Sequence, residues 1–298
     1  MAKLADRLKI SLDELRMQVL GAQVLFGFQF RNLFQPGFAR ATDAERLAAA
    51  AGIAAILVSL TILLVPPVQH RIAAAGQATR RMLELSNRCA EIALATMILT
   101  LASIAFAIAA HRRIEHPLPA AVVVAGVALI AWFGWGWLPR RPGPPELPEY
   151  AVTDLHTKID QMLTEARVIL PGAQATLGFQ LIVVMTEAFE QLPDSLQRLH
   201  LAALALDTLS ILLLIAPAAA HRMAFHGNDD ERFHRLGSIL VSVALAPLAL
   251  AITAEVFIAF WKLFASAAAA SAAAAITLVL AGYCWFGLPW TLRSRGAR

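Results

Sequence analysis

Eight long apolar segments dominate this sequence and restrict what the chain can fold into. They cover residues 17–34, 47–68, 89–110, 118–138, 168–186, 199–220, 239–261 and 270–290. A bilayer core about 30 Å thick takes about 20 apolar residues to cross as a helix, and lipid leaves no partner for open backbone groups. Only 15% of the residues are charged, against about 25% in a typical soluble domain. The sequence therefore predicts an all-α, polytopic membrane helix bundle.

The same sequence pattern occurs twice, at an offset of 151 residues. Three motifs recur without a gap: Glu-x-Arg at 14 and 165, Gly-Ala-Gln at 21 and 172, and Gly-Phe-Gln at 27 and 178. Further along, Pro66 recurs as Pro217 and Arg81 as Arg232. Chance does not hold a register over such a length, so we predict a tandem duplication.

Each copy is predicted to contain four spans, an even number, so both copies enter the membrane from the same side. Repeats of this kind are parallel and related by an axis along the membrane normal. We therefore predict eight transmembrane helices as two parallel four-helix repeats, a pseudo-two-fold fused dimer. The predicted first repeat is 1–139, with an N-terminal amphipathic helix at the membrane surface. A Pro-rich linker follows at 140–157, and the second repeat is 158–298.

The placement of basic residues and the absence of known motifs restrict location and function class. Lys and Arg in the 70–88 loop and in the C-terminal tail favour termini on the cytoplasmic side. The basic residues lie between apolar runs rather than in one block, which disfavours nucleic-acid binding. No Walker loop, His-Glu-x-x-His, Gly-x-Ser-x-Gly or Cys-x-x-Cys occurs. We therefore predict no enzymatic activity and no metal site.

The motifs together resemble a known family. Pro-x3-His-Arg ends the second helix of each copy, "DDERFHRLGS" opens the seventh helix, and Trp-x2-Leu-Pro closes the last. This pattern resembles an uncharacterised bacterial family of four-pass membrane proteins, domain of unknown function 6328. The resemblance covers nearly the whole chain, twice, and the first copy departs from it at Leu20, where the second has Pro171. It implies the bacterial inner membrane as the location, and it implies no activity.

Polar residues form a narrow stripe on the first and fifth predicted spans. Arg16 and Gln23 are seven residues apart and share one helix face, and Arg167 and Gln174 repeat this spacing. Polar side chains in hydrocarbon are costly unless they face a partner or water. One interpretation is that the two stripes face each other across the axis and line a pathway. In the other, the amides bond between helices while the arginines extend to lipid headgroups.

Two His-Arg pairs lie at the predicted cytoplasmic ends of the second and sixth spans: His70, Arg71, His221 and Arg222. They are candidates for pairing with Glu14 or Glu165, for binding lipid phosphate, or for simple interfacial anchoring. A haem held by the two histidines is disfavoured, because an arginine follows each histidine directly and both lie at the water edge. No cofactor is therefore predicted.

Three acidic residues lie inside predicted spans without an acidic counterpart in the other copy. They are Asp207, Glu255 and Glu91, which align with Ile56, Ile104 and Ser242. An isolated acid in hydrocarbon is expensive, must be protonated or paired, and marks a candidate functional site. Asp207 is the best candidate for a proton or cation site; alternatively, it is a protonated acid bonded to a neighbouring helix.

Two function classes remain open at this point. The intramembrane acids favour an ion or small-solute channel or secondary transporter. The alternative is a non-catalytic scaffold or accessory subunit of a larger membrane complex. Contact with the lipid bilayer belongs to both interpretations, and so does assembly into a homo-oligomer.

Overall fold

The computed structural model describes residues 4–74, 76–134, 148–151 and 153–296, which are mostly helical, with short connections and two very short strands. The helices are α1 Leu4–Asn32, α2 Asp43–Leu63, α3 Val65–Ile72, α4 Arg80–His111, α5 Leu118–Phe133, α6 Leu155–Val184, α7 Glu187–Glu190, α8 Asp194–Met223, α9 Glu231–Phe264, α10 Ala267–Gly282 and α11 Leu288–Gly296. A 3-10 helix, Pro36–Arg40, follows α1, and a π-helical turn, Tyr283–Gly287, joins α10 to α11. Strands β1, Ala78–Thr79, and β2, Tyr150–Ala151, pair antiparallel.

Six helical segments within the described residues are long and apolar enough to cross a membrane: Asp43–Ile72, Arg80–His111, Leu155–Val184, Asp194–Met223, Glu231–Phe264 and Ala267–Leu292. The shortest has 26 residues and would extend about 39 Å, more than the hydrocarbon core. The predicted span at 118–138 corresponds to α5, an apolar helix of 16 residues, and its last four residues lie outside the described ranges. The predicted span at 17–34 lies mostly on α1, which is not among the six.

Helix α1 combines two elements that the sequence analysis separated, the amphipathic N-terminal helix and the first predicted span. The leucines of its first turns are buried against the rest of the protein instead of lying at the membrane surface: Leu4, Leu8 and Leu12. The apolar spacing continues without a glycine or proline through Leu15 and Val19, which are also buried. One face of a single helix therefore stays in the core along its whole length.

Prolines shape the second helix of each half differently. Pro66 and Pro67 remove two consecutive backbone donors, and the helix is interrupted at Leu64, between α2 and α3. The second half has Pro217 followed by alanine, and α8 continues through it. A single missing donor is thus accommodated inside a helix, whereas two in succession break it.

Both of these helices are followed by a turn that ends on a glycine with positive φ. Gly76 has φ +75° and Gly227 has φ +78°, a conformation that other residues rarely adopt. The Gly76 amide donates to the carbonyl of His70 at 3.0 Å, and the Gly227 amide donates to that of His221 at 2.9 Å. The two His-Arg pairs are therefore held at equivalent helix ends.

Helices α1 and α6 lie side by side and run parallel. Lys9 Nζ is 2.5 Å from Asp160 Oδ2, and nineteen residues further along both helices the rings of Phe28 and Phe179 are 4.6 Å apart. Members of each pair are 151 residues apart in the sequence, the offset of the duplication. Close approach depends on glycine, since a Cβ on Gly27 would lie 2.1 Å from the ring of Phe179.

The end of the second half also packs into the first. Trp285, in the π-helical turn, is buried, and its Nε1 donates to the carbonyl of Thr61 at 3.0 Å. Arg46 Nη1 similarly donates to the carbonyl of Leu263 at 3.1 Å. The two halves thus share one continuous apolar core.

Candidate functional site

Three polar side chains meet in the apolar interior where α6, α8 and α9 pack together, and we call them the His200 cluster: Gln180, His200 and Glu255. The side chains of His200 and Glu255 are 0% exposed, and His200 Nδ1 lies 2.9 Å from Glu255 Oε1. Gln180 Nε2 donates to the same carboxyl at 3.1 Å. His200 Nε2 lies 3.1 Å from the backbone carbonyl of Gln180. The rings of Phe30 and Phe189 pack against the imidazole and separate it from solvent.

The partners of His200 define where protons can be. A carbonyl oxygen only accepts hydrogen bonds, so His200 Nε2 carries a hydrogen and donates it to Gln180. His200 Nδ1 and the carboxyl of Glu255 need one proton between them. If the proton is on Nδ1, the pair is an imidazolium and a carboxylate. If it is on the carboxyl oxygen, both groups are neutral, and the net charge of the pair is the same in both cases. The cluster can therefore hold and shift a proton without changing its total charge.

Asp207 lies two helical turns beyond His200 on the same face of α8. It is 0% exposed, and neither carboxyl oxygen has a hydrogen-bond partner within the described part of the chain. Its carboxyl is within electrostatic reach of Glu255. Buried polar groups are nearly always hydrogen-bonded, so this acid has an unused capacity to bind a proton or a cation.

The equivalent place in the first half is a cavity instead of a polar cluster. Ala49 and Ile104 occupy the positions of His200 and Glu255, and Gln29 occupies that of Gln180. These three residues line a cavity of about 280 Å³, and Gln29 Nε2 lacks a partner among the described residues. The two halves have therefore diverged in chemistry at the same structural position.

A second buried polar group, the Glu165 cluster, joins the halves: His70, Arg71 and Glu165. His70 Nδ1 lies 2.6 Å from Glu165 Oε1, and Arg71 Nη2 donates to the other carboxyl oxygen. The side chains of all three are at most 7% exposed. Gln161, one turn earlier on α6, is also buried, and both its amide atoms lack described partners. One carboxylate of the second half thus neutralises a cation of the first.

The polar stripes on α1 and α6 do not form a matched inward-facing pair. Gln23 is buried and lies against Gly172, where a Cβ would be 1.1 Å from Gln23 Oε1. Gln174, its equivalent, is exposed, and so are Arg16 and Arg167. Both copies carry these side chains, but Gln23 is buried whereas Gln174 is exposed, so the surroundings of the two stripes differ.

The remaining predicted site residues are at the surface or border a second cavity. Glu91 is exposed on α4, and Glu14 is exposed on α1. His221 and Arg222 line a cavity of about 500 Å³ between α6 and α8, together with Arg167. The described residues contain no group of three His, Cys, Asp or Glu side chains that could hold a metal ion.

Two buried residues of these clusters were not identified from the sequence, His200 and Gln161. For His200 a signal existed, because the second half has ionisable residues where the first has apolar ones at three positions on α8 and α9, two helices that pack together. The replacements are Ala49 by His200, Ile56 by Asp207 and Ile104 by Glu255. Gln161 gives no comparable signal, because many glutamines near helix ends are solvated.

Residues 2–139 and residues 149–289 each match the same protein family, which is described as a family of unknown function (DUF6328). No curated protein and no solved structure matches the chain significantly. Two matches to one family in succession show an internal duplication. The activity must be argued from the buried groups, because the family description assigns none.

Proposed function

The chain belongs to the DUF6328 family as a tandem duplication, and we propose that it is an ion or small-solute channel or secondary transporter that moves protons or small cations. The single observation that carries this proposal is the His200 cluster with the unpartnered Asp207 two turns away. Both lie on long apolar helices that can cross a bilayer. Charge and exchangeable protons at such a depth mark ion and proton pathways in other membrane proteins.

The first half indicates that the ionisable side chains of His200 and Glu255 are not needed for folding. In the first half the equivalent positions are occupied by Ala49 and Ile104, and the surrounding helices still pack together. Replacing buried ionic groups by apolar residues is often neutral or stabilising. A role beyond stability therefore accounts for His200 and Glu255 better than packing does.

We also infer a pseudo-two-fold arrangement of eight helices, in which α1 and α5 complete the set of six spans. Residues close to a two-fold axis meet their own equivalents. The pairs Lys9–Asp160 and Phe28–Phe179 have this relation, which supports an axis between α1 and α6. On this arrangement all three residues of the His200 cluster belong to the second half, and Phe30 of the first half packs against them.

A flux assay in reconstituted vesicles tests the proposal. Vesicles containing a pH-sensitive dye should respond to an imposed proton gradient faster with the protein than without it. We expect Asp207→Asn and Glu255→Gln to reduce the rate to that of empty vesicles. Glu91→Gln is the matched control, because it removes an exposed acid from α4, and it should retain the wild-type rate. Wild-type vesicles that leak no faster than empty ones for protons, common cations and anions would rule transport out.

A scaffold or accessory subunit is the second candidate. Neither of the two described cavities is lined by Asp207 or Gln23, which favours a structural role for these side chains. On this alternative, purification in a gentle detergent should recover stoichiometric protein partners. A single monodisperse particle without partners would count against it.

A further inference from the structure

We propose that the cavity between α6 and α8 binds the phosphate group of an anionic membrane lipid. This inference is independent of the transport proposal, because it concerns a different set of residues and a ligand that stays in the membrane. It follows from a difference between the two equivalent His-Arg pairs.

In the first half the His-Arg pair is covered and neutralised by α6. Glu165 binds both His70 and Arg71. The capping glycine is covered as well, since a Cβ on Gly76 would lie 3.4 Å from Lys158 Cγ. Neither of the two described cavities is lined by His70 or Arg71.

In the second half the equivalent pair is uncovered. A Cβ on Gly227 would have no neighbour within 4 Å among the described residues, and Arg222 is exposed. Glu14, the equivalent of Glu165, is exposed and does not line the cavity. The His-Arg pair has therefore kept its cation and its glycine cap while losing the carboxylate that neutralises it in the other half.

The charge around this cavity is positive. Arg167 and Arg222 both line it, and neither has an ion pair or hydrogen bond within the described residues. The side chain of His221 stacks on Phe233, and its buried Nε2 lacks a partner there as well. The Lys9–Asp160 pair, within electrostatic reach of Arg167, is neutral as a unit. Arginine binds phosphate oxygens through parallel hydrogen bonds, so two unpaired arginines fit one phosphate group.

The rest of the cavity wall is apolar, which selects a lipid over a free anion. The apolar lining residues are Leu163, Ala166, Leu170, Leu214, Ile215 and Ala218. A volume of about 500 Å³ accommodates a headgroup with the first part of its acyl chains. The cavity lies at the end of the apolar helix α8, where headgroup phosphates meet the hydrocarbon.

Native mass spectrometry of the full chain in mild detergent tests this site. Dioleoyl phosphatidylglycerol should bind as a retained adduct more tightly than dioleoyl phosphatidylcholine. Arg167→Gln and Arg222→Gln should each weaken phosphatidylglycerol binding about fivefold. Arg16→Gln, at the exposed equivalent of Arg167, is the matched control and should leave the affinity unchanged.

A second pair of variants tests the apolar wall without changing charge. Ala218→Trp fills the cavity and should prevent lipid binding, whereas Ala219→Trp, on the neighbouring exposed residue outside the lining, should not. Wild-type affinity in both arginine variants would overturn the proposal. So would full displacement of the lipid by an equal concentration of inorganic phosphate, or equal binding of phosphatidylcholine. These experiments measure lipid binding only, so their outcome does not depend on the result of the flux assay.

Discussion

Removing the charge of Glu165 should destabilise the protein strongly, because this carboxylate neutralises a buried arginine from the other half. Glu165→Gln keeps the size of the side chain and one acceptor oxygen. It leaves the guanidinium of Arg71, at most 7% exposed, without a counter-charge. Breaking a buried ion pair by removing one partner costs about 3–5 kcal/mol. We expect the substitution to lower the free energy of unfolding by about 3 kcal/mol. This is the lower end of that range, because the amide can still accept one hydrogen bond.

Equilibrium unfolding by sodium dodecyl sulfate in mixed micelles, followed by tryptophan fluorescence, measures this quantity. The matched control is Glu14→Gln, which makes the same change at the exposed equivalent position and should stay within about 0.5 kcal/mol of wild type. Adding Arg71→Gln to Glu165→Gln removes the uncompensated charge and should recover part of the loss. If Glu165→Gln cost no more than Glu14→Gln, the argument that this pair joins the halves would be refuted.

Two further predictions concern the α1–α6 contact. Gly27→Ala places a Cβ 2.1 Å from the ring of Phe179 and should lower the free energy of unfolding by about 1–3 kcal/mol. Gly178→Ala, whose Cβ would have no neighbour within 4 Å in the described part of the chain, should not lower it. An equal effect of both substitutions would contradict close packing at Gly27. The hydrogen bond to Asp160 raises the pKa of Lys9 above its ordinary value, so while Asp160 is ionised the pair contributes below the ordinary lysine pKa and is lost as the pH rises through the folded-state pKa. The stability difference between wild type and Lys9→Gln should therefore disappear at high pH in the same unfolding assay, and a difference that persists there would contradict this assignment.

Much of the fold follows from periodicity that the sequence displays directly. The long apolar runs predict helices because lipid allows little else, and six of them are long and apolar enough in the structure. The continuity of α1 was harder to predict, because the leucine spacing in Leu4–Leu12 is equally compatible with a helix at the membrane surface and with a buried helix. The packing of α2, α4 and α6 against it decides which face is covered.

The sites were less predictable, for a related reason. Asp207 and Glu255 stand out in the sequence because a charge inside an apolar run is costly wherever it points. The stripe glutamines Gln23 and Gln174 stand out equally in the sequence, but the cost of an amide depends on its orientation, and a duplication does not preserve orientation. Gln23 is buried against Gly172 whereas Gln174 is exposed, and no pattern in either copy encodes this difference.

Covalent fusion of the copies has a consequence for how such a protein can evolve. In a homodimer made of separate single-repeat chains, every mutation is inherited on both sides at once, and so is its penalty. Joining the copies frees each position to mutate alone. A histidine and a glutamate can then arise in one half while alanine and isoleucine persist in the other, as at His200 and Ala49. In a fused chain, one copy can thus acquire ionisable residues while the other copy retains the apolar residues that maintain the fold.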